Sequence, residues 1–382
     1  MLLSAWALFA VSLGYGVVVP LMPALTGGAE GFGLSLIFSL YSAARVGAQV
    51  PGGVWVDQKG PSVVLQTGLA LFTVSTAGFL IPGPMEWFIA LRVLEGLGTG
   101  LVFPAVFARV FAMEGSKKGT WLGLGAGLSS SGAVVGPVLG GLLLPIDVRL
   151  PVAIVVLVSA GALALSFSPK ERSGGKVEAP RTLRDEVGRL TGLATNLGFV
   201  GIMLPLAFNK LSYTGLQAVL PLHAATFAQV NLQGVTAMFA GLGVTFGIAA
   251  MVGGWVSDRY PARPLIAGVV PLALASLAAT SFATGPWAYA TGVCAYAFFS
   301  SVVFGLVFKY SADTFGGPNA HGGVYGVLGT LTDLMTVLGP LLFVNAYSLW
   351  PRPIYAIMSV VGAAFFAGFL VLSQRVKAAS AE

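Results

Sequence analysis

Charge is what this sequence has least of. Of its 382 residues, 20 are Lys or Arg and 14 are Asp or Glu, 9% in all. A soluble globular chain carries about 25%. So few charges cannot cover a folded 39.2 kDa particle in water, and 56% of the residues are hydrophobic. A soluble enzyme, a nucleic-acid binder and a disordered chain are therefore excluded. The sequence pI near 9.5 would signal nucleic acid only if the basic residues shared a wetted face, and most of the chain offers none. Cysteine is nearly absent. Cys294 alone rules out a disulfide framework and any metal site built on cysteines. The two histidines, His223 and His321, lie far apart and near no acidic cluster, so they read as isolated polar residues and no metal site is expected. The phosphate-loop, HExxH and GxSxG patterns are missing too, so the chain is not expected to be an enzyme. What remains is a polytopic membrane protein.

A bilayer core of ~30 Å takes ~20 apolar residues per helix. That length predicts twelve spans, over 2–26, 34–56, 62–82, 87–112, 119–144, 151–168, 195–224, 233–257, 264–284, 286–312, 322–346 and 353–374. Barrel strands would be ~10 residues of alternating polarity, so helices are expected. No charge occurs from Met1 to Ala29, and no basic region or small-residue cleavage site marks that run as a signal peptide. With twelve spans and the N-terminus inside, fifteen basic residues fall on the inner side and only Arg149 and Arg352 on the outer. This bias predicts cytoplasmic termini and a location in the plasma (inner) membrane.

The longest hydrophilic stretch lies between the sixth and seventh spans. It predicts an all-α fold of two six-helix bundles, 1–168 and 195–382, joined by a cytoplasmic linker over 169–194. A short amphipathic surface helix is expected over 181–190. The halves also share residues at an offset of 201: Gly52-Gly53 with Gly253-Gly254, Asp57 with Asp258, Pro20-Leu21 with Pro221-Leu222, and Gly14 with Gly215. Such pseudo-symmetric repeats around a midplane site are common in secondary transporters.

Three motifs stand out. After the second span the chain reads Gly53-Val-Trp-Val-Asp57-Gln58-Lys59-Gly60. The fourth carries Arg92-Val-Leu-Glu95-Gly96-Leu-Gly98. The fifth carries Gly132-Ala-Val-Val-Gly136-Pro137-Val-Leu-Gly140-Gly141. Glycines at 132, 136 and 140, and at 119, 123 and 127, give a smooth helix face that lets backbones approach closely in lipid. Pro137 permits a bend.

Together these motifs resemble the loop 2–3, helix 4 and helix 5 signatures of the major facilitator superfamily. The complete GxxxGPxxGG pattern resembles the antiporter motif of its twelve-helix, proton-coupled drug-efflux branch. The resemblance implies alternating access without a cofactor, driven by a proton gradient. It implies that Gly53 and Asp57, with Asp258 and Arg259 as their second-half counterpart, latch the cytoplasmic side. Gln58, Pro61 and Ser62 replace basic residues of that pattern and thin the latch. The resemblance also links the helix 4 arginine, here Arg92, to proton transfer. It places the substrate cavity among helices one, four, seven and ten, where this chain offers Tyr15, Asn209, Lys210, Tyr213, Gln217, Tyr296, Phe298 and Phe299.

Five charges fall at bilayer depth: Arg45, Arg92, Glu95, Lys210 and Asp333. Each costs ~3 kcal/mol or more there and marks function by default. Arg45 and Asp333 sit ~18 and ~17 Å from their inner helix ends. In the family architecture helices two and eleven face each other, so Arg45 is one expected partner for Asp333, and Lys210 is the other. Arg92 and Glu95, at i and i+3, share a helix face. A carboxyl in a low-dielectric cavity favours its neutral form, and a guanidinium beside it favours the charged one. Glu95 and Asp333 are thus both candidate proton carriers. Asp333 is the favoured one, having no opposite charge nearby in sequence.

The expected function is proton-coupled export of a small amphipathic molecule by a monomer in contact with membrane lipids. The alternatives are an uptake symporter or facilitator of an anionic metabolite, or a lipid or lysolipid transporter. The first helix has no acidic residue to anchor a cation, and the intramembrane charges sum to +1. Both favour an anionic or zwitterionic cargo. A channel is disfavoured, because the two halves are unlike and carry scattered opposite charges.

Overall fold

The computed structural model describes residues 2–26, 31–111, 131–132, 134–168, 188, 191–257, 259–315 and 321–374. Among them there are twelve helices of ten residues or more. They are α1 (Leu2–Leu25), α2 (Gly31–Lys59), α3 (Pro61–Gly78), α4 (Met85–Phe111), α5 (Val134–Leu143), α6 (Arg149–Ser166), α7 (Leu197–Phe227), α8 (Leu232–Ser257), α9 (Ala262–Thr280), α10 (Pro286–Phe315), α11 (His321–Leu349) and α12 (Ile354–Leu372). Ser131 and Gly132 are also helical, just ahead of α5. Most of the surface helix expected over 181–190 lies outside the described residues.

Helices are what lipid demands, because each backbone polar group must find its partner within the segment. Seven are long and apolar enough to cross a membrane by length and composition alone: α1, α4, α6, α9, α10, α11 and α12. The other five include two that carry residues singled out in the sequence. Arg45 and Asp57 sit in α2; Asn209, Lys210 and His223 sit in α7. Many large apolar side chains face outward, among them Leu142, Ile146, Leu157 and Val360. Trp287, 86% exposed, begins α10, and the exposed Trp350 follows α11. Tryptophans at helix ends suit the headgroup level.

The chain divides into two compact units, Met1–Glu186 with Leu232–Gly243, and Val187–Asn231 with Val244–Glu382. The division therefore falls within α8, after Gly243. Each unit repeats one packing plan. In the first, α3 packs on α4 and α6, and α1 on α4 and α6. In the second, α9 packs on α10 and α12, and α7 on α10 and α12. The repeat reaches single residues. A Cβ on Gly52 would lie 3.0 Å from Leu101 Cδ2, and one on Gly253 would lie 3.1 Å from Val302 Cα. Both members of each pair are 201 apart.

Gly14 and Gly215 do not follow that rule. Gly14 faces Phe72 and Val155, whereas Gly215 faces Phe343 and the Gly339 carbonyl. The contact matching Gly215 with Gly339 is Gly16 with Gly136, where a Cβ on Gly136 would lie 2.8 Å from Gly16 Cα.

Nor is His223 isolated. It is fully buried among Phe227, Tyr289, Tyr347 and Tyr355, with ring centroids 4.7–6.1 Å away, and its Nε2 lies 3.3 Å from the Arg352 carbonyl. Tyr289 and Tyr355 share a 2.6 Å hydroxyl hydrogen bond that ties α10 to α12.

Candidate functional site

Two intramembrane ion pairs, Arg92–Glu95 in the first unit and Lys210–Asp333 in the second, differ in construction. In the first unit, small residues bring α2 and α4 together. Gly96 sits against the Tyr41 carbonyl and Ala44, and Gly100 against the Arg45 carbonyl and Ala48. This close approach lays Tyr41 over Arg92, whose Cζ is 4.1 Å from the ring centre. Tyr15 of α1 stands 6.0 Å from the same carbon and 5.6 Å from the Tyr41 ring. Arg92 Nη1 donates to Glu95 Oε2 at 2.6 Å, and both side chains are 0% exposed. Tyr41 donates at 3.4 Å to Thr99, which donates to the Glu95 backbone carbonyl at 2.8 Å. Among the described residues, Arg92 Nε and Nη2 and Glu95 Oε1 have no hydrogen-bond partner.

In the second unit, Lys210 Nζ of α7 donates to Asp333 Oδ1 of α11 at 2.7 Å. The lysine side chain is 24% exposed and the aspartate 10%. Phe304 of α10 lies 5.6 Å from the ammonium. Lys210, one of the two expected partners of Asp333, is bonded to it. The reason for favouring Asp333, that no opposite charge stands near it in sequence, lapses, because folding supplies Lys210.

Beside this pair, α7 and α10 are cross-linked by polar groups. Asn209 Nδ2 donates to the Ser300 carbonyl at 2.7 Å and lies 2.5 Å from its hydroxyl. Ser212 and Tyr296 share a short hydroxyl contact. These bonds satisfy groups that would otherwise be costly away from water. Of the remaining cavity candidates, Gln217 is buried, Tyr213 meets Phe246 at a tilt with ring centroids 5.7 Å apart, and Phe299 meets Phe298 edge-on at 5.6 Å.

The helix 5 glycines pack as small residues should. A Cβ on Gly132 would lie 2.6 Å from the Phe9 carbonyl, and one on Gly136 would lie 2.8 Å from the Leu13 carbonyl. Gly140 and Gly141 face Thr236 of α8. Pro137 follows Gly136 as Pro340 follows Gly339 in α11. A Cβ on Gly339 would lie 3.0 Å from Gly215 N. This second Gly-Pro pair escaped the sequence reading because its offset is 203 rather than 201. Gly119, Gly123 and Gly127 lie outside the described residues.

The residues expected to form the latch fall only partly among the described ones. Asp57 stands half-buried in the last turn of α2, before the turn at Gly60, whose φ of 84° suits glycine. A Cβ on Gly53 would meet nothing within 4 Å. Arg259 caps its own helix, donating to the Trp255 carbonyl at 3.1 Å and lying 4.2 Å over the Trp255 ring. Asp258 lies outside the described residues. Tyr41, Thr99, Ser212, Ser300 and Phe304 were missed as site residues. Tyr41 meets Arg92, and Phe304 meets Lys210, across helix interfaces that no local spacing reveals. Ser212 and Ser300 bond Tyr296 and Asn209 between α7 and α10, and Thr99 meets Glu95 within α4.

Twelve helices among the described residues, in two repeating units, with a buried ion pair in the first and a partly exposed one in the second, have the architecture of a membrane transporter. The sequence model of the Major Facilitator Superfamily matches residues 4–340 and 202–382, and the chain belongs to that superfamily. Its sequence is 28% identical over 99 residues to the quinolone resistance protein NorA of Staphylococcus aureus, covering 25% of this chain and 26% of NorA. It is 32% identical over 98 residues to an uncharacterized MFS-type transporter of Methanocaldococcus jannaschii, 25% of each protein. The chain thus matches about a quarter of the length of these relatives.

Similar solved structures include a peptide transporter, POT, in complex with sulfate, with a TM-score of 0.81 and 13% identity over 98% of this chain and 94% of that one. A bacterial homolog of the human lysosomal transporter Spinster, inward-facing and unoccupied, has a TM-score of 0.74 and 13% identity over 98% and 92%. The human organic anion transporter MFSD10 has a TM-score of 0.69 and 18% identity over 96% and 98%. These likenesses establish the fold.

Proposed function

We propose that this chain is a secondary active transporter that exchanges protons for a small amphipathic molecule, exporting it by alternating access. One observation carries this reading. The Lys210–Asp333 pair joins two helices and is partly exposed, so displacement of α11 against α7 parts it. A carboxylate separated from its cation favours its neutral form and takes up a proton. The Arg92–Glu95 pair sits three residues apart on one helix, so rigid movement of helices leaves it intact. Asp333 is the proton carrier on this reading, and Lys210 is the cation that releases its proton. The Gly136–Pro137 and Gly339–Pro340 contacts supply bendable joints, and Asp57 latches the cytoplasmic end. The similarity to NorA supports efflux.

The chain would act in the plasma membrane with its termini in the cytoplasm, as a monomer among lipids, with the proton gradient as its energy source. The decisive experiment uses purified protein in liposomes with a panel of anionic, zwitterionic and cationic amphiphiles. Protein-free vesicles are the control. Exchange predicts accumulation driven by an acidic interior. Accumulation driven by an acidic exterior would instead identify an uptake symporter. Movement indifferent to the gradient would sink proton coupling and leave a facilitator.

A further inference from the structure

We infer that the Nε–Nη2 edge of Arg92 is the anchor for a carboxylate on the transported molecule, and that Tyr41 and Tyr15 receive an aromatic ring beside it. This rests on the proposed transport function and names its substrate class.

A guanidinium has five N–H donors in a fixed fork. Glu95 engages only Nη1. The remaining side-on edge, Nε with Nη2, is fully buried and has no hydrogen-bond partner among the described residues. Two parallel N–H groups on one edge match a carboxylate in bidentate geometry. A buried charged donor left without an acceptor is costly, and helix geometry keeps the Glu95 carboxylate on the other nitrogen. The ion pair thus fixes the orientation of the fork.

Tyr41 covers the guanidinium at 4.1 Å and makes no hydrogen bond to the Nε–Nη2 edge. Tyr15 is the half-buried member of the cluster. Its ring, 5.6 Å from that of Tyr41, must turn for a ligand to enter. Offset aromatic pairs prefer centroid separations of ~4.5–7 Å, so the two tyrosines pair with each other, and a substrate ring takes the place of Tyr15 against Tyr41 when Tyr15 turns.

The test is equilibrium calorimetry on the full chain in nanodiscs, with 2-naphthoate, 2-naphthamide and 2-naphthylmethylammonium as probes. Naphthoate should bind about tenfold tighter than the amide, and the cation more weakly still. Arg92→Lys keeps the charge and loses the fork. It should weaken naphthoate about tenfold and change the amide by less than about threefold. Tyr41→Leu leaves the ion pair in place and decides the matter if Arg92→Lys does not fold. It should weaken naphthoate and leave octanoate unchanged. Equal binding of naphthoate and amide would overturn the assignment. So would naphthoate binding indifferent to both substitutions, or binding of no probe at millimolar concentration. No gradient is used, so failure of proton coupling leaves this result untouched, and the converse holds.

Discussion

Lys210 and Asp333 are 123 positions apart and meet at 2.7 Å, whereas Arg92 and Glu95 are three apart and meet at 2.6 Å. The first pair is a joint between helices, and the second is a fixture of one helix. They should respond differently to mutation.

Asp333→Asn should abolish gradient-driven transport in liposomes, a loss of tenfold or more, while leaving exchange of substrate between two equal pools measurable. Reversing the pair, with Lys210→Asp and Asp333→Lys together, should restore part of the driven transport. Reversal at Arg45 and Asp333 should not. Rescue by the second swap alone would make Arg45 the working partner.

Glu95→Gln should act chiefly on stability. It leaves the guanidinium of Arg92 buried without its counter-charge, which typically costs about 3–5 kcal/mol. Thermal unfolding in detergent should show a large drop. Joint replacement of Arg92 and Glu95 by leucine should recover most of it, because a buried pair is often matched by apolar groups. Equal melting of Glu95→Gln and the parent would contradict the buried pairing.

Glycine substitutions should divide by what the new methyl meets. Gly136→Ala sets a carbon 2.8 Å from the Leu13 carbonyl, which is backbone and yields poorly. Folded yield and transport should both fall. Gly339→Ala, against Gly215, should behave alike. Gly53→Ala meets nothing within 4 Å, so its stability should stay within about 0.5 kcal/mol. Any transport defect there reports the latch rather than the fold.

Tyr289→Phe removes the 2.6 Å hydrogen bond to Tyr355 and should cost about 1 kcal/mol, read as a small drop in melting temperature. No change would mean that the Tyr355 hydroxyl finds another acceptor.

The helices were legible because lipid imposes length and apolarity on every span. The Arg92–Glu95 pair was legible because i, i+3 spacing fixes a helix face. The repeat was legible at Gly52 and Gly253, which meet counterpart helices, α4 and α10, at residues 201 apart. Other features arise only on folding. Lys210 finds Asp333 through tertiary packing, and Tyr41 reaches Arg92 across a glycine-lined interface. His223 read as an isolated residue because three of its four aromatic neighbours come from three other helices. Gly14 misled because a constant offset ignores where each helix turns its face.

The glycine contacts at 132, 136 and 339 also reverse the usual mutational economy of a folded chain. In water, the gravest core changes remove methyl groups and leave voids. Here Leu157 and Val360 already face outward, and trimming them forfeits little when the surrounding solvent is itself hydrocarbon. The gravest changes add a methyl where two backbones touch. Random mutation should therefore harm this chain more by making its smallest residues larger than by making its largest residues smaller.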